Sequence, residues 1–459
     1  MKIEEITNGH KDSINWLKSN RNTPLPNITD ALNSIDPKKH EVMNEVIRPK
    51  RLVKTDNETK YVDVARIAFA LQKLIIKRAV AFCFGNNVEV TSDAKTDKGI
   101  VAFNSYKDLL DKVKIYSLNR RMARILFTYG EVAEYWYTVE TKKGDGMGVD
   151  KNKKIRVSLF SPKDCRLYPF FDDNDDLIAF SREYTKKDGD EEHTFFETWT
   201  DEEYRIWDDK GQEIKEKSYQ HNLGKIPIIY SRQEQRETED VDPLIDRLEK
   251  SVSNLGDTND YHSSPKIIVN GPVKSFAQKG EAGGILEVGE NVKPYYLSWD
   301  SAPQSKQVEF DMLLKMIYTI SQTPDVSFDN MKAVGAVSGE ALKTLFTDAH
   351  LKVQDHREVL DEHLARRCSV ATTYIGVLAP DTKDGFDEIN IKQEIIPYLS
   401  KNQGMVLDSL LSVNGNKPLV SHKQSVIMAN LSANPEEDYE QIIAEESASS
   451  YMDVTEPTI

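Results

Sequence analysis

The sequence predicts an α+β fold, and three observations carry that prediction. Apolar residues recur at three-to-four-residue spacing in several long blocks, the mark of helices with one buried face. Between residues 133 and 230 the spacing changes to alternation, which belongs to antiparallel strands. From Gln304 to Leu378 two helix patterns flank a short loop of small residues. Such a loop suits a mechanical element better than a catalytic one.

Residues 1 to 60 carry turn signals at Pro24, Pro26, Pro37 and Pro49 and no strong stripe, so they are expected to be loosely organised. From Tyr61 a helix is expected, with Val64, Ile67, Ala68, Leu71, Leu74, Ile75, Ala79 and Phe82 on one side. Gly85-Asn86-Asn87 reads as its C-cap, and Val88-Glu89-Val90 as the start of an extended segment. A second helix is expected from near Tyr106 to Thr128, ending at Tyr129-Gly130-Glu131 before the aromatic strand Ala133–Tyr137. Ile155, Val157 and Leu159, then Ile178 and Phe180, continue the β pattern. Phe195, Glu197 and Trp199 lead into Tyr204–Trp207, with a turn at Asp208–Gly211. Asn222 to Ile229 ends this sheet with a further turn and strand.

Val241-Asp242-Pro243 opens a helix on Leu244, Ile245, Leu248, Val252 and Leu255, with Pro243 at a tolerated first-turn position. It fades near Ser263-Ser264-Pro265, and Lys266 to Pro303 reads as a small β-rich module. A second helix follows from Gln304 to Thr323. After the loop Val326–Val337, Ser338 reads as the N-cap of a helix running to Leu378, roughly 60 Å at about 1.5 Å per residue. Its stripe is Leu342, Phe346, Ala349, Val353, Leu360, Leu364, Ala371, Tyr374 and Leu378, with His356 and Arg367 filling two gaps. Phe386 to Ile391 alternates as a strand, and short helices are expected near 404–412 and 421–431. The acidic tail from Pro435 is expected to fray.

Composition narrows the function. A chain of 459 residues with 39% hydrophobic and 29% charged content has core material for two to four domain-sized units and a large wetted surface. No stretch approaches the roughly 18 consecutive apolar residues that span a bilayer, so no membrane partner is expected. Met1–Glu5 is polar and acidic, unlike a secretory signal. Cys83, Cys165 and Cys368 are few and far apart, which fits a reducing compartment and no disulfide framework. A net charge of −15 argues against tight wrapping of nucleic acid, because that affinity comes from Lys and Arg at phosphates. It leaves open DNA passing by without sticking.

Each motif that resembles chemistry has a simpler reading. Gly335 to Thr344 lacks the order of a phosphate loop, since Glu340 follows Gly339 and Lys343 falls a turn later. Asp172, Asn174, Asp176 and Glu183 have calcium-loop spacing, but Leu177 stands where glycine is needed and the flanks are strands. A solvated hairpin turn is the better reading. His356 and His363 lie seven apart without a third ligand, so they read as packing or interface histidines. No nucleophile elbow or Cys-His pair appears, so neither an enzyme activity nor a cofactor is expected. Lys332, the only basic residue of its loop, reads first as a solvated surface lysine.

Taken in order, several segments resemble the portal proteins of tailed bacteriophages, of the family typical of long, noncontractile-tailed phages. They are Phe82-Cys83-Phe84-Gly85-Asn86, the joint Ile125 to Tyr135, Pro162 to Asp173, His221 to Ile229, Val241 to Asp260, and Val337 to Lys343. The resemblance covers roughly residues 60 to 440 and implies a portal fold. Residues 1–240 would be the wing, with its N-terminal arm, helices and antiparallel β meander. Residues 241–264 and 304–325 would be the two-helix stem, and 265–303 a small β-rich clip. Residues 326–337 would be the tunnel loop, 338–378 the long wing helix, 379–399 a return strand, and 400–459 a short helical crown with the acidic tail.

The resemblance implies a nonenzymatic ring of about twelve subunits around a channel for double-stranded DNA. Its partners would be the terminase large subunit, a head-tail adaptor, and the major capsid or scaffolding protein. It would sit at the portal vertex of the virion after assembly in the bacterial host cytoplasm. Ser327, Asp329, Asn330, Lys332, Val334 and Gly335 would face DNA, with Lys332 the foremost phosphate contact. Lys274, Lys279, Glu281 and Glu287 would serve terminase docking at the clip. A head-tail connector of another kind, or a nucleotide- or calcium-dependent hydrolase, are the competing readings. The helix–clip–helix insertion speaks against the first, and the motif spacings against the second.

Overall fold

The computed structural model describes residues 1–10, 12–55, 58–141, 153–221, 223–262, 303–325, 346–398, 421–429 and 434–452, and four short strands within 267–296. The chain divides into two units, Met1–Ser327 with Thr347–Tyr398, and Phe328–Phe346 with Leu399–Ile459.

In the first unit the N-terminal residues are ordered, contrary to the expectation. They form α1 (Ile3–Ile6), α2 (Ser13–Ser19) and α3 (Ile28–Ile35). These helices are too short for a stripe to show in sequence, and tertiary contacts hold them instead. Ile3 and Leu17 are buried with Tyr168, Phe196 and Trp207, and the Ile3 N–H donates to Glu203 Oε1 at 2.6 Å.

The next segment departs further from expectation. Residues 51–62 form the hairpin β1 (Arg51–Thr55) and β2 (Glu58–Val62), and α4 (Leu71–Phe84) starts ten residues later than Tyr61. The stretch between them is not helical because its backbone donors have other partners. Ala65, Ile67 and Phe69 donate to Asp257 Oδ1 (2.8 Å), Ser253 Oγ (2.9 Å) and Glu249 Oε1 (2.7 Å) of α7 (Asp242–His262). Two extended residues rise about 6.6 Å and four helical residues about 6.0 Å, so alternate N–H groups match side chains at i, i+4 and i+8. Gly256 permits the close approach, since a Cβ there would meet Ala65 Cβ at 2.9 Å.

Helix α4 ends at Gly85, but not through a left-handed cap. Gly85 has φ −69°, and glycine is needed because a Cβ would press on the Ala81 carbonyl and the Tyr398 ring. Strand β3 (Glu89–Ser92) follows. The single helix expected from Tyr106 is two, α5 (Asp97–Lys112) and α6 (Ile115–Tyr129), broken where Lys114 turns left-handed at φ 56°.

The β region folds as two sheets rather than one meander. Strands β6 (Cys165–Phe171), β7 (Leu177–Asp188), β8 (Glu191–Trp199), β9 (Glu203–Trp207) and β10 (Tyr219–Gln220) lie in order 10-9-8-7-6. Strands β4 (Glu131–Glu140) and β5 (Lys153–Phe160) pair separately, and β11 (Ile228–Arg232) crosses back to β4. Both faces of β4 are buried. Ala133 faces the inter-sheet cluster with Phe180, Trp199 and Ile228, while Trp136 faces a helical cluster with Leu118 and Ala371. The Asp172–Asp176 stretch is the β6–β7 turn, with Asp172 Oδ1 accepting from Asn174 N and Asp176 N, both at 2.9 Å. Glu183 is instead occupied by Lys18 and the Tyr168 hydroxyl.

Helix α7 and α8 (Pro303–Ile320) enclose β12 (Ile267–Ile268), β13 (Val273–Ser275), β14 (Glu287–Val288) and β15 (Tyr295–Tyr296). The long helix α9 starts at Thr347 and runs to Leu378, 32 residues or about 48 Å. Phe346 lies in the preceding turn, so no single helix runs from Ser338 to Leu378. Residues 338–345, with Leu342 and the Ser338 cap, lie outside the described residues. The expected strand at Phe386 is helix α10 (Lys383–Asp387), and the returning strand is β16 (Ile391–Glu394), paired with β3.

In the second unit, the helix expected near 404–412 lies outside the described residues. Helix α11 (His422–Ala429) meets the expectation near 421–431. The acidic tail is helical, α12 (Pro435–Met452), with His422 edge-on to Tyr439 at 5.8 Å. The tail therefore does not fray from Pro435, contrary to the expectation.

The fit of segment 63–70 to α7 predicts that Gly256→Val lowers stability by about 1–3 kcal/mol, through overpacking against Ala65. Thermal denaturation measures this, and an unchanged midpoint would contradict the close contact.

Candidate functional site

The candidate site is the helix pair α7–α8 with its nested strands, and the joint where the chain leaves α8 for residues 326–337. Ile245 and Leu248 of α7 pack with Ile317 of α8 and Ile75 of α4, flanked by Val252, Phe310 and Leu313. Nearer the strands, Arg247 Nη2 (2.6 Å) and Ser251 Oγ (3.0 Å) both donate to Glu309 Oε1. Early α7 thus meets late α8, and the helices run antiparallel. Hydrogen bonding from Arg247 holds the Glu309 carboxyl below its ordinary value. Inside this pair β12 joins β15 and β13 joins β14, one antiparallel pair within the other. Lys274 lies on β13 and Glu287 on β14, opposite Ser275, so two candidate docking residues share one strand pair. Lys279 and Glu281 lie outside the described residues.

The joint is fastened from two sides. After α8 the chain turns through Gln322 at φ 46°, and Thr323 N bonds back to the Tyr318 carbonyl at 2.9 Å. Lys352 Nζ of α9 donates to the Ser321 carbonyl at 2.6 Å, and Arg78 Nη1 of α4 donates to the Pro324 carbonyl at 2.6 Å. Lys352 is also ion-paired with Glu237, which lies 3.1 Å from His356 Nε2. Burial alone would raise the Glu237 carboxyl, but the His356 hydrogen bond and the Lys352 charge outweigh it and hold it below its ordinary value. His356 stacks on Phe127 at 4.4 Å, which makes it a packing histidine, as expected.

Beneath α9 lies a fully buried polar cluster. Arg367 donates to both oxygens of Glu134 on β4, from Nε at 2.8 Å and Nη2 at 2.6 Å, and from Nη1 to Asn119 Oδ1 on α6 at 2.6 Å. Trp136 Nε1 donates to Glu134 Oε1 at 2.7 Å, and His363 Nε2 lies 3.3 Å from Oε2. Ser231 of β11 reaches His363 Nδ1 at 2.6 Å. Burial would push the Glu134 carboxyl up, yet the Arg367 charge and these hydrogen bonds hold it well below the usual carboxylate range. Burial pushes the His363 imidazole down, so it is neutral at pH 7, with Nε2–H toward Glu134 and Nδ1 accepting from Ser231. Arg367 therefore sits at 0% exposure as a core residue, not on a face reserved for a neighbour.

The loop residues singled out from sequence, Ser327, Asp329, Asn330, Lys332, Val334 and Gly335, lie outside the described residues, as does Ser338. Sequence reasoning missed Lys352, Arg78 and Glu237, whose partners are distant carbonyls and side chains. A signal existed for the buried pair, since Glu134 interrupts an apolar strand and Arg367 an apolar helix stripe. Among the described residues no group of three or more His, Cys, Asp and Glu is placed to hold a metal ion. No helix among them is long and apolar enough to cross a membrane. All three cysteines are free, and burial pushes the Cys165 thiol up to about 12.

Arg367→Met is expected to cost about 3–5 kcal/mol, because it leaves the Glu134 carboxylate buried without its counter-charge. Adding Glu134→Gln is expected to restore part of that loss. Denaturant titration of both variants measures this, and equal stability of wild type and Arg367→Met would refute it.

A family model described as phage portal protein, SPP1 Gp6-like, matches residues 14–451. No curated protein matches the chain. Among the solved structures similar to it are three from gene transfer agent (GTA) particles. A chain in the neck of an empty particle computed with C6 symmetry has 12% identity and a TM-score of 0.43, over 79% of this chain and 89% of that one. A chain in the virion of a native particle has 10% identity and a TM-score of 0.41, over 79% and 88%. A chain in the neck of a native particle computed with C12 symmetry has 11% identity and a TM-score of 0.41, over the same shares. With the family model spanning nearly its whole length, the chain belongs to the SPP1 Gp6-like family of phage portal proteins.

Proposed function

We propose that this portal-family chain assembles into a closed ring at a capsid vertex and forms the channel through which double-stranded DNA is packaged and ejected. Helices α7 and α8 are its stem and β12–β15 its clip, which docks the terminase large subunit and later a head-tail adaptor. Residues 326–337 form the loop that faces DNA, and Lys332 is its phosphate contact. The ring takes its place in the virion after assembly in the host bacterial cytoplasm, with the major capsid or scaffolding protein as a further partner.

One observation carries the reading. The antiparallel helices are joined in sequence through nested strand pairs, and the chain leaves α8 through a joint anchored by Lys352 and Arg78, directly before the loop. That geometry offers a docking end on the strands and a fixed root for a loop. Charge supports it. A conduit must let a polyanion slide, and strong Lys/Arg clamps would hold phosphates too long, whereas this chain carries −15 overall. A ring needs one surface of each copy to meet a different surface of the next, with a rotation that closes.

Negative-stain imaging with native mass spectrometry of the purified chain is expected to find a closed ring of about twelve copies around a hole. A compact dimer or tetramer without a channel would overturn the proposal. In a packaging assay, Lys332→Ala rings are expected to package more slowly or retain less DNA. Unchanged rate and retention would remove Lys332 from that role.

A further inference from the structure

Helix α8 has two apolar faces, and only one is covered. Phe310, Leu313, Leu314 and Ile317 pack toward α7, whereas Val308, Met312, Met316 and Ile320 are 67%, 61%, 38% and 47% exposed. The four-residue spacing lines these up on the other side of the helix as a stripe about 18 Å long. A contiguous apolar stripe of this kind marks an interaction surface.

A second uncovered surface lies on the β1–β2 hairpin. Leu52 and Tyr61 are cross-strand partners, so they share one face, and they are 45% and 72% exposed. An isolated two-stranded ribbon is marginal in water and gains stability by covering an apolar face. Its five-residue strands are about 17 Å long, close to the length of the stripe. The hairpin leads directly into segment 63–70, which is fixed to the Glu249–Ser253–Asp257 face of α7. Helix α8 occupies a different face, through Ile245 and Leu248. One copy therefore presents the two surfaces apart and leaves its own stripe bare. Charge is complementary as well. Lys54 shares the Leu52 face and Asp311 flanks Met312, and neither has an intramolecular partner among the described residues.

We propose that the β1–β2 hairpin is an arm that lies across the α8 stripe of the neighbouring copy, with Leu52 and Tyr61 over Val308 and Met312, and Lys54 against Asp311. This rests on the ring reading and supplies the pairing of unlike surfaces that a ring requires. The apolar side chains form the dry centre of the contact, and the charged pair belongs to its rim.

The test joins Tyr61→Cys and Met312→Cys in one full-length chain, treated with a short bis-maleimide cross-linker and run on a denaturing gel beside wild type. A ladder of covalent oligomers reaching the ring size is expected, with no ladder from either single variant. Dimers from Met312→Cys alone would mean that stripe meets stripe, and would overturn the arm. Rings visible by negative stain but without a ladder from the double variant would overturn it too, while leaving the ring reading standing. Absence of rings in wild type would overturn both. As a second readout, Val308→Glu/Met312→Glu is expected to lose the ring while its thermal midpoint stays near that of wild type. Intact rings from that variant would count against the arm.

Discussion

The pair formed by Glu134 and Arg367 is the constraint on which much of the first unit depends. A carboxylate and a guanidinium at 0% exposure are tolerable only when each hydrogen-bonding position is occupied. That requirement brings together β4, α6, α9 and, through Ser231 and His363, β11. A purely apolar contact would let α9 slide by a turn at modest cost, because Leu360, Leu364 and Ala371 repeat at helical spacing. The bidentate pair admits one register. Helix α9 is therefore pinned near its middle, and its first turns present Lys352 to the end of α8.

Helix α7 plays a comparable part on the other side. Its apolar face takes α8, while its Glu249, Ser253 and Asp257 face takes the backbone of an extended segment. Polar side chains replace a neighbouring strand as acceptors, so segment 63–70 needs neither helix nor sheet to satisfy its donors. The same arrangement fixes where the β1–β2 hairpin leaves the body. Helix α8 and the segment leading from the hairpin are thus both tied to α7.

Among the described residues no group of three or more His, Cys, Asp and Glu is placed to hold a metal ion. Glu237 is occupied by Lys352 and His356. Where carboxylates gather in the open, as at Asp172, they accept backbone N–H groups and shape a turn.

The sequence by itself determined the elements whose apolar period is long and uninterrupted. These are α7, α8, α9 from Thr347, and the strands β4, β5, β7, β8 and β9. It also determined that the His356 and Arg367 positions belong to the α9 stripe. Local periodicity suffices there because burial of one face decides the conformation. Tertiary structure alone decided that Asp63–Ala70 is not helical despite helical spacing, because the acceptors at Glu249, Ser253 and Asp257 lie some 180 residues away. It alone divided the β region into two sheets, since β11 returns to β4 across the chain. The joint at Ser321–Pro324 was equally hidden, because its anchors Lys352 and Arg78 bond to backbone carbonyls, which every residue possesses and no pattern marks.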